Sequence, residues 1–210
     1  MKFKKFFIVL FTALFILTAA VALVVLFRPF YYAQYKVIKE AEHTDYTKEE
    51  MKQAYDEMLD YCIGKSPEFS TGKLKFSEEG KEHFDDVKRL FILDFEIAAI
   101  SLVGLLLLSF TKPKANFIKH TPVTYAAASL ISAAAVISIF AAIDFNAVFT
   151  VFHHVFFQGR ENWMFDPASD EIILILPEVY FRNCAILIAA VMIILCLILY
   201  IINNIVENNT

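Results

Sequence analysis

Two histidines stand side by side in FHHVFFQGRENWMFDP, residues 152–167, and a third, His83, stands in EHFDDVK. An imidazole titrates near pH ~6.5, so a neutral one takes up and returns a proton at ambient pH, and two that converge suit acid/base chemistry. The first stretch adds Arg160, Asn162, the chain's only tryptophan, Trp163, and Asp166. His153 and His154 cannot both enter one small site on regular backbone, because neighbours diverge by about 100° on a helix and about 180° on a strand. On a helix His153 shares its face with Phe149, Phe156 and Phe157, an aromatic stripe, and is the preferred member of the pair. The bland alternative is one interfacial and one packed histidine, with Trp163 a membrane-interface anchor and Arg160 and Asp166 a solvated pair. His43 and His120 read as polar surface residues.

Other chemistries find little support. The chain has no HExxH zinc signature, no GxSxG elbow and no phosphate-binding glycine loop, so neither common hydrolase templates nor a nucleotide partner is expected. A metal set drawn from His83, His153 and Asp86 lacks a characteristic spacing, and no metal or other cofactor is expected. No basic patch with interleaved aromatics points to nucleic acid. Cys184 and Cys196 fall in the last apolar run and Cys62 stands apart, which argues against a disulfide framework.

The elements that must position these residues follow from hydropathy. Of the 210 residues 58% are hydrophobic and only 20% charged, with a mean hydropathy of +0.55, a membrane composition. A hydrocarbon core about 30 Å thick needs about 20 apolar residues at 1.5 Å each. Four runs qualify: 6–27, 90–110, 123–143 and 184–202. The first is too long for a signal-peptide core and reads as an uncleaved anchor despite Ala20-Val21-Ala22. Lys2, Lys4 and Lys5 before it, and Lys112, Lys114 and Lys119 after two spans, place both termini in the cytoplasm. Residues 28–89 and 144–182 then form an extracytoplasmic cap. The formal charge of −4 is a sum over two compartments.

The expected fold is an α-helical integral membrane protein with four transmembrane helices and a cap of helices and short strands. Within the cap, Thr47-Lys48-Glu49-Glu50 reads as a capping box, followed by Met51, Ala54, Met58 and Tyr61 at helical spacing. A short strand fits Lys73–Phe76, and DEIILILPE fits a buried strand or a re-entrant turn. Ser77-Glu78-Glu79 starts a helix that runs unbroken into the second span, with His83, Asp86, Leu90 and Asp94 along one face. In the third span Thr121 is the expected N-cap before Pro122, and the small residues Ala126–Ser129, Ser132–Ala135 and Ser138 let helices approach closely.

Four spans, HFDDVKRLF after the first outer segment and FHHVFFQGRENWMFDPASDEIILILPEVYF before the last span together resemble the bacterial lipoprotein intramolecular transacylases of the Lit type. The similarity runs through the whole chain in order. It implies a multi-pass bacterial cell-membrane enzyme with two catalytic histidines where cap meets membrane: His83, and the histidine of the FHxxFF pattern, His153. The implied substrate is a diacylglyceryl lipoprotein with a free N-terminal cysteine amine, whose sn-2 acyl chain moves to that amine to give the lyso form. On this reading His153 is the base and His83 the acid or oxyanion support. Asp86 and Asp94 fix the His83 tautomer, and Trp163, Phe156 and Phe157 confine the acyl and glyceryl groups. His154, Arg160, Asn162 and Asp166 complete the supporting set. A non-catalytic lipid-binding module would use the same aromatics without turnover, and a metal-dependent lipid hydrolase would need bound metal and water.

Overall fold

The computed structural model describes residues 2–110 and 122–208. The lysine-rich loop with Lys112, Lys114, Lys119 and His120, and the Thr121 N-cap, lie outside the described residues. Among the described residues eight α-helices follow in order: α1 (Lys2–Leu26), α2 (Pro29–Ala33), α3 (Tyr35–Glu42), α4 (Lys48–Cys62), α5 (Glu78–Ser109), α6 (Pro122–Ile143), α7 (Phe145–Phe156) and α8 (Glu178–Asn208). A 3-10 turn spans Glu171–Leu174. Among the described residues α1, α5, α6 and α8 are long and apolar enough to cross a membrane. The first three turns of α5 carry Glu78, Glu79, Lys81, Glu82, Asp85, Asp86, Lys88 and Arg89, and the helix is predominantly apolar from Leu90 on.

The chain divides into two compact units. One comprises Met1–Leu23, Asp94–Phe140 and Ile186–Thr210. Its core joins Ile16 and Ala20 of α1, Ala127 of α6, and Met192 and Cys196 of α8, with Leu130 and Ala134 packed alongside. Helices without a hydrophobic drive between them associate through small residues and close packing. A Cβ added to Gly104 of α5 would fall 2.6 Å from the ring of Phe11, so glycine is what lets α1 lie against α5. Other small residues of α6, Ala128, Ser129, Ser132, Ala133, Ala135 and Ser138, are exposed, so only one face of that helix uses its small side chains for packing. Val103, Leu107, Ile137, Phe140, Ile194 and Ile198 also point outward, an apolar surface suited to lipid.

The other unit comprises Val24–Leu93 and Ala141–Ala185. Its core is rich in aromatics and sulfur: Tyr31, Ile38, Met51, Tyr55, Met58, Leu59, Cys62, Phe69, Phe84, Ile172, Ile175 and Tyr180. The Tyr31 and Tyr55 rings stack at 3.8 Å, the Tyr55 and Tyr180 hydroxyls share a 3.1 Å hydrogen bond, and Tyr31 donates to the Ile175 carbonyl. Buried phenols thus bring both apolar area and a satisfied polar end. The capping box forms, with Thr47 Oγ1 accepting from the Glu50 N–H and Glu50 accepting from the Thr47 N–H. All four periodic positions, Met51, Ala54, Met58 and Tyr61, are buried, so α4 rests on protein.

No strand forms among the described residues, which corrects both strand expectations. At Lys75 the backbone N–H donates to the Glu171 carboxylate rather than to a neighbouring strand, and the Lys75 carbonyl accepts from the Glu171 N–H. In DEIILILPE the buried residues Ile172, Ile175 and Leu176 follow a helical-turn spacing. A short apolar run cannot announce which of these periods it will take. Helix α5 starts as expected and is pinned there. Ser77 Oγ accepts from the Gly80 N–H, and buried Asp170 accepts from both the Ser77 N–H and hydroxyl. Any Cβ at position 80 would collide with that carboxylate.

Candidate functional site

His83 sits on the second turn of α5, where the 78–89 segment has helix-starting Ser77 behind it and its own Phe84 stacked on Phe69. His153 sits on the last turn of α7, a helix opened by Asp144, whose carboxylate accepts from the Ala147 N–H. Both imidazoles are buried, and their ring centroids lie 5.8 Å apart with planes tilted by 31°. His154 points to the exposed side, as the 100° divergence of neighbours on a helix requires.

The His153 ring is fixed from two directions. Its Nδ1 lies 2.7 Å from the Phe149 carbonyl oxygen, an atom that only accepts, so Nδ1 carries the proton and donates it. In the neutral ring the lone pair is then on Nε2, the nitrogen free to act as a base. Trp163 stacks on the same ring at 4.5 Å and presents its edge to His154 at 5.8 Å. Around His83, Phe157 and Phe165 approach edge-on at 4.9 and 5.4 Å, and Phe165 also stacks on Phe84.

This aromatic enclosure sets the electrostatics. Burial, and then the nearby His153, push His83 down from 6.5 to about 4, against opposing contributions from Asp86 and Asn162. Burial also lowers His153, partly offset by its bond to Phe149. Both rings are therefore neutral at pH ~7. Asn162 faces His83 closely enough to favour its protonated form yet closes no hydrogen bond through Oδ1. Three buried polar atoms here have no hydrogen-bond partner among the described residues: His83 Nδ1, Asn162 Oδ1 and Trp163 Nε1.

The supporting residues divide sharply. Asp86 bonds Arg160 at 3.0 Å, Arg89 at 3.3 Å and Asn162 Nδ2 at 3.4 Å, so its carboxylate anchors the loop after α7 and leaves His83 Nδ1 without a partner. Asp94 belongs to the other unit. Asp166 is exposed and closes a turn by accepting from the Ala168 N–H. Phe156 is exposed, whereas Phe157 is buried. Among the described residues no group of three or more His, Cys, Asp or Glu side chains is arranged to hold a metal ion. Sequence reasoning missed Phe165 and Phe84, which wall His83. The available signal was their place beside named residues, in NWMFDP and EHFDD.

A family model described as lipoprotein intramolecular transacylase Lit matches residues 6–181. The chain belongs to the lipoprotein intramolecular transacylase family. It is accordingly a transacylase, and its four apolar helices make it a multi-pass membrane protein. Solved structures share the fold. The in meso structure of the membrane integral lipoprotein intramolecular transacylase Lit from Bacillus cereus matches with a TM-score of 0.86 at 24% identity, covering 99% of this chain and 96% of that one. A variant of the same protein carrying a histidine-to-arginine mutation gives 0.81 at 23% identity, over 99% and 92% of the two chains. A histidine-to-alanine variant gives 0.78 at 25%, over 100% and 96%. No curated protein matches the chain.

Proposed function

We propose that this transacylase moves the sn-2 acyl chain of a diacylglyceryl-cysteine lipoprotein to the cysteine α-amine, giving the N-acyl, S-monoacylglyceryl form, on the extracytoplasmic side of the bacterial membrane. Attack of the amine nitrogen on the ester carbonyl closes an eight-membered ring through Cα, Cβ, sulfur, two glyceryl carbons and the ester oxygen. A flexible lipid rarely brings those ends together, so orientation is the main service the protein supplies. No serine or cysteine nucleophile is needed, because the substrate carries its own.

The observation that carries this reading is the buried pair, His83 and His153, with the His153 Nδ1–H committed to the Phe149 carbonyl. His153 Nε2 takes the proton that the attacking amine must lose, then returns it to the glyceryl oxygen as the C–O bond breaks. One imidazole suffices for both transfers because the reaction is an isomerisation. His83, held neutral by burial, acts through its N–H on the oxygen of the tetrahedral intermediate rather than as an imidazolium acid. The surrounding Phe157, Phe165 and Trp163 keep water from competing for the ester.

Fragmentation of a synthetic diacylglyceryl lipopeptide before and after incubation with the purified protein tests the reading. Intact mass stays the same while one acyl chain appears on nitrogen. An amine left free, or an acyl chain released as fatty acid, rejects it.

A further inference from the structure

We infer that Asn162 and Trp163 form a two-point receptor for the reacting groups: the Trp163 indole N–H binds the sn-2 ester carbonyl oxygen, and Asn162 Oδ1 binds the N–H of the attacking amine. This rests on the transacylation reading above and adds the groups that set the geometry of attack.

The two residues are consecutive, and each has one buried polar atom without a partner, of opposite kind. Indole nitrogen only donates, so Trp163 Nε1 offers an unused donor. The end of Asn162 that remains free is settled by its neighbour. The Asp86 carboxylate, an acceptor only, takes the Nδ2 side at 3.4 Å, which leaves Oδ1 facing His83 as an acceptor that closes no hydrogen bond. A buried unpaired polar atom is destabilising, and the great majority of such atoms find partners. Ester carbonyl and amine are an acceptor and a donor, and together they complete this pair.

Both points are held on firm supports. The indole stacks on His153 at 4.5 Å, so the donor is fixed relative to the base. Asn162 is anchored through Asp86, itself clasped by Arg160 at 3.0 Å and Arg89 at 3.3 Å. In the reaction the nitrogen–carbon bond forms as the carbonyl electron pair moves to oxygen, where the Trp163 N–H strengthens its hydrogen bond. The electron pair then returns, the carbon–glyceryl oxygen bond breaks, and the amine proton ends on that oxygen by way of His153. Nothing is gained or lost.

Trp163 is the chain's only tryptophan, so its emission reports this site alone. The experiment titrates the full-length protein with two unreactive lipopeptides acetylated at the cysteine amine, one bearing the sn-2 ester and the other an sn-2 ether without a carbonyl. Red-shifted emission with the ester and none with the ether is the expected result. Equal responses, or none with the ester, overturn the inference, and since neither ligand reacts, the outcome does not depend on whether transacylation occurs. With reactive substrate, Trp163→Phe keeps the stack and loses the donor, lowering kcat by about 10²-fold with KM within about threefold, the loss typical of one oxyanion donor. Full kcat in Trp163→Phe also overturns it. Loss of N-acylation in the unmutated protein would instead reject the function reading.

Discussion

Two polar clusters in the same unit are built in opposite ways. Around the start of α5, Asp170 is 4% exposed, yet its carboxylate accepts from the Ser77 N–H at 2.8 Å, the Ser77 hydroxyl at 2.9 Å and the Ser169 hydroxyl at 2.7 Å. The Arg28 cluster is equally complete, with Asp56 bonded by Arg28, Lys52 and Tyr32, and Asp60 by Arg28. Beside the two histidines, three buried polar atoms have no hydrogen-bond partner among the described residues. The unit evidently can satisfy buried polar groups, so the unpaired set is a local feature. Satisfied clusters hold the scaffold, and the unsatisfied one is what a substrate with a donor and an acceptor would complete.

The widest separation between the clusters should come from one substitution in each. His153→Gln removes the base while keeping a polar side chain of similar reach, and lowers kcat by about 10²–10⁴-fold, the range for a positioned general base. Initial rates of N-acylation measure it, and a loss under tenfold would move the base elsewhere. Asp170→Ala should do the reverse. It strands the Ser77 and Ser169 donors at the beginning of α5 and costs about 2–4 kcal/mol of stability. Thermal unfolding in detergent reads that loss, with kcat per folded molecule within about threefold of the parent. Were Asp170→Ala to abolish turnover without lowering Tm, the division into scaffold and site would fail.

This contrast also marks what was legible in the sequence. Span-length apolar runs and the helical spacing of Met51, Ala54, Met58 and Tyr61 are local patterns, and all appear as helices. The opposite directions of His153 and His154 follow from helix geometry once α7 is granted. Partners distant in the chain were not legible. Asp86 stands on the His83 face as the spacing says, but besides Arg89 its bonds go to Arg160 and Asn162, more than seventy residues away. Asp170 gave no local signal, because its role depends on Ser77 and Gly80 arriving from the other segment. The Lys73–Phe76 strand failed for the same reason, its N–H taken by Glu171.

A smaller effect sharpens the electrostatic side of the comparison. In the unfolded chain His83 titrates near 6.5, and in the folded protein burial holds it at about 4. Between those values the unfolded chain binds more protons, so acid favours unfolding. The contribution is fully present above pH 6.5 and is lost as pH falls toward about 4, and the burial that lowers His153 acts in the same direction. Melting temperature against pH over this window should slope down toward acid, and His83→Gln should flatten the slope. Because Asp86 and other carboxylates are common to both proteins, the difference between the two curves isolates the imidazole. Parallel curves would mean that His83 is as easily protonated folded as unfolded.

The smallest effect is expected one residue from the largest. His154 is exposed and meets the site through Trp163, whose ring lies nearly perpendicular at 5.8 Å, and through a small electrostatic lowering of His153, whereas the stacked face of that indole belongs to His153. His154→Ala therefore leaves the Phe149 hydrogen bond, the tautomer of His153 and the stack in place. Its kcat should stay within about threefold of the parent, the size expected for a side chain that neither moves a proton nor stabilises the intermediate, against about 10²-fold or more for a base. Measured side by side with His153→Gln, this pair tests the helix geometry itself. A greater loss at His154 would show that α7 turns its other face to the substrate, and would reassign the base by one residue.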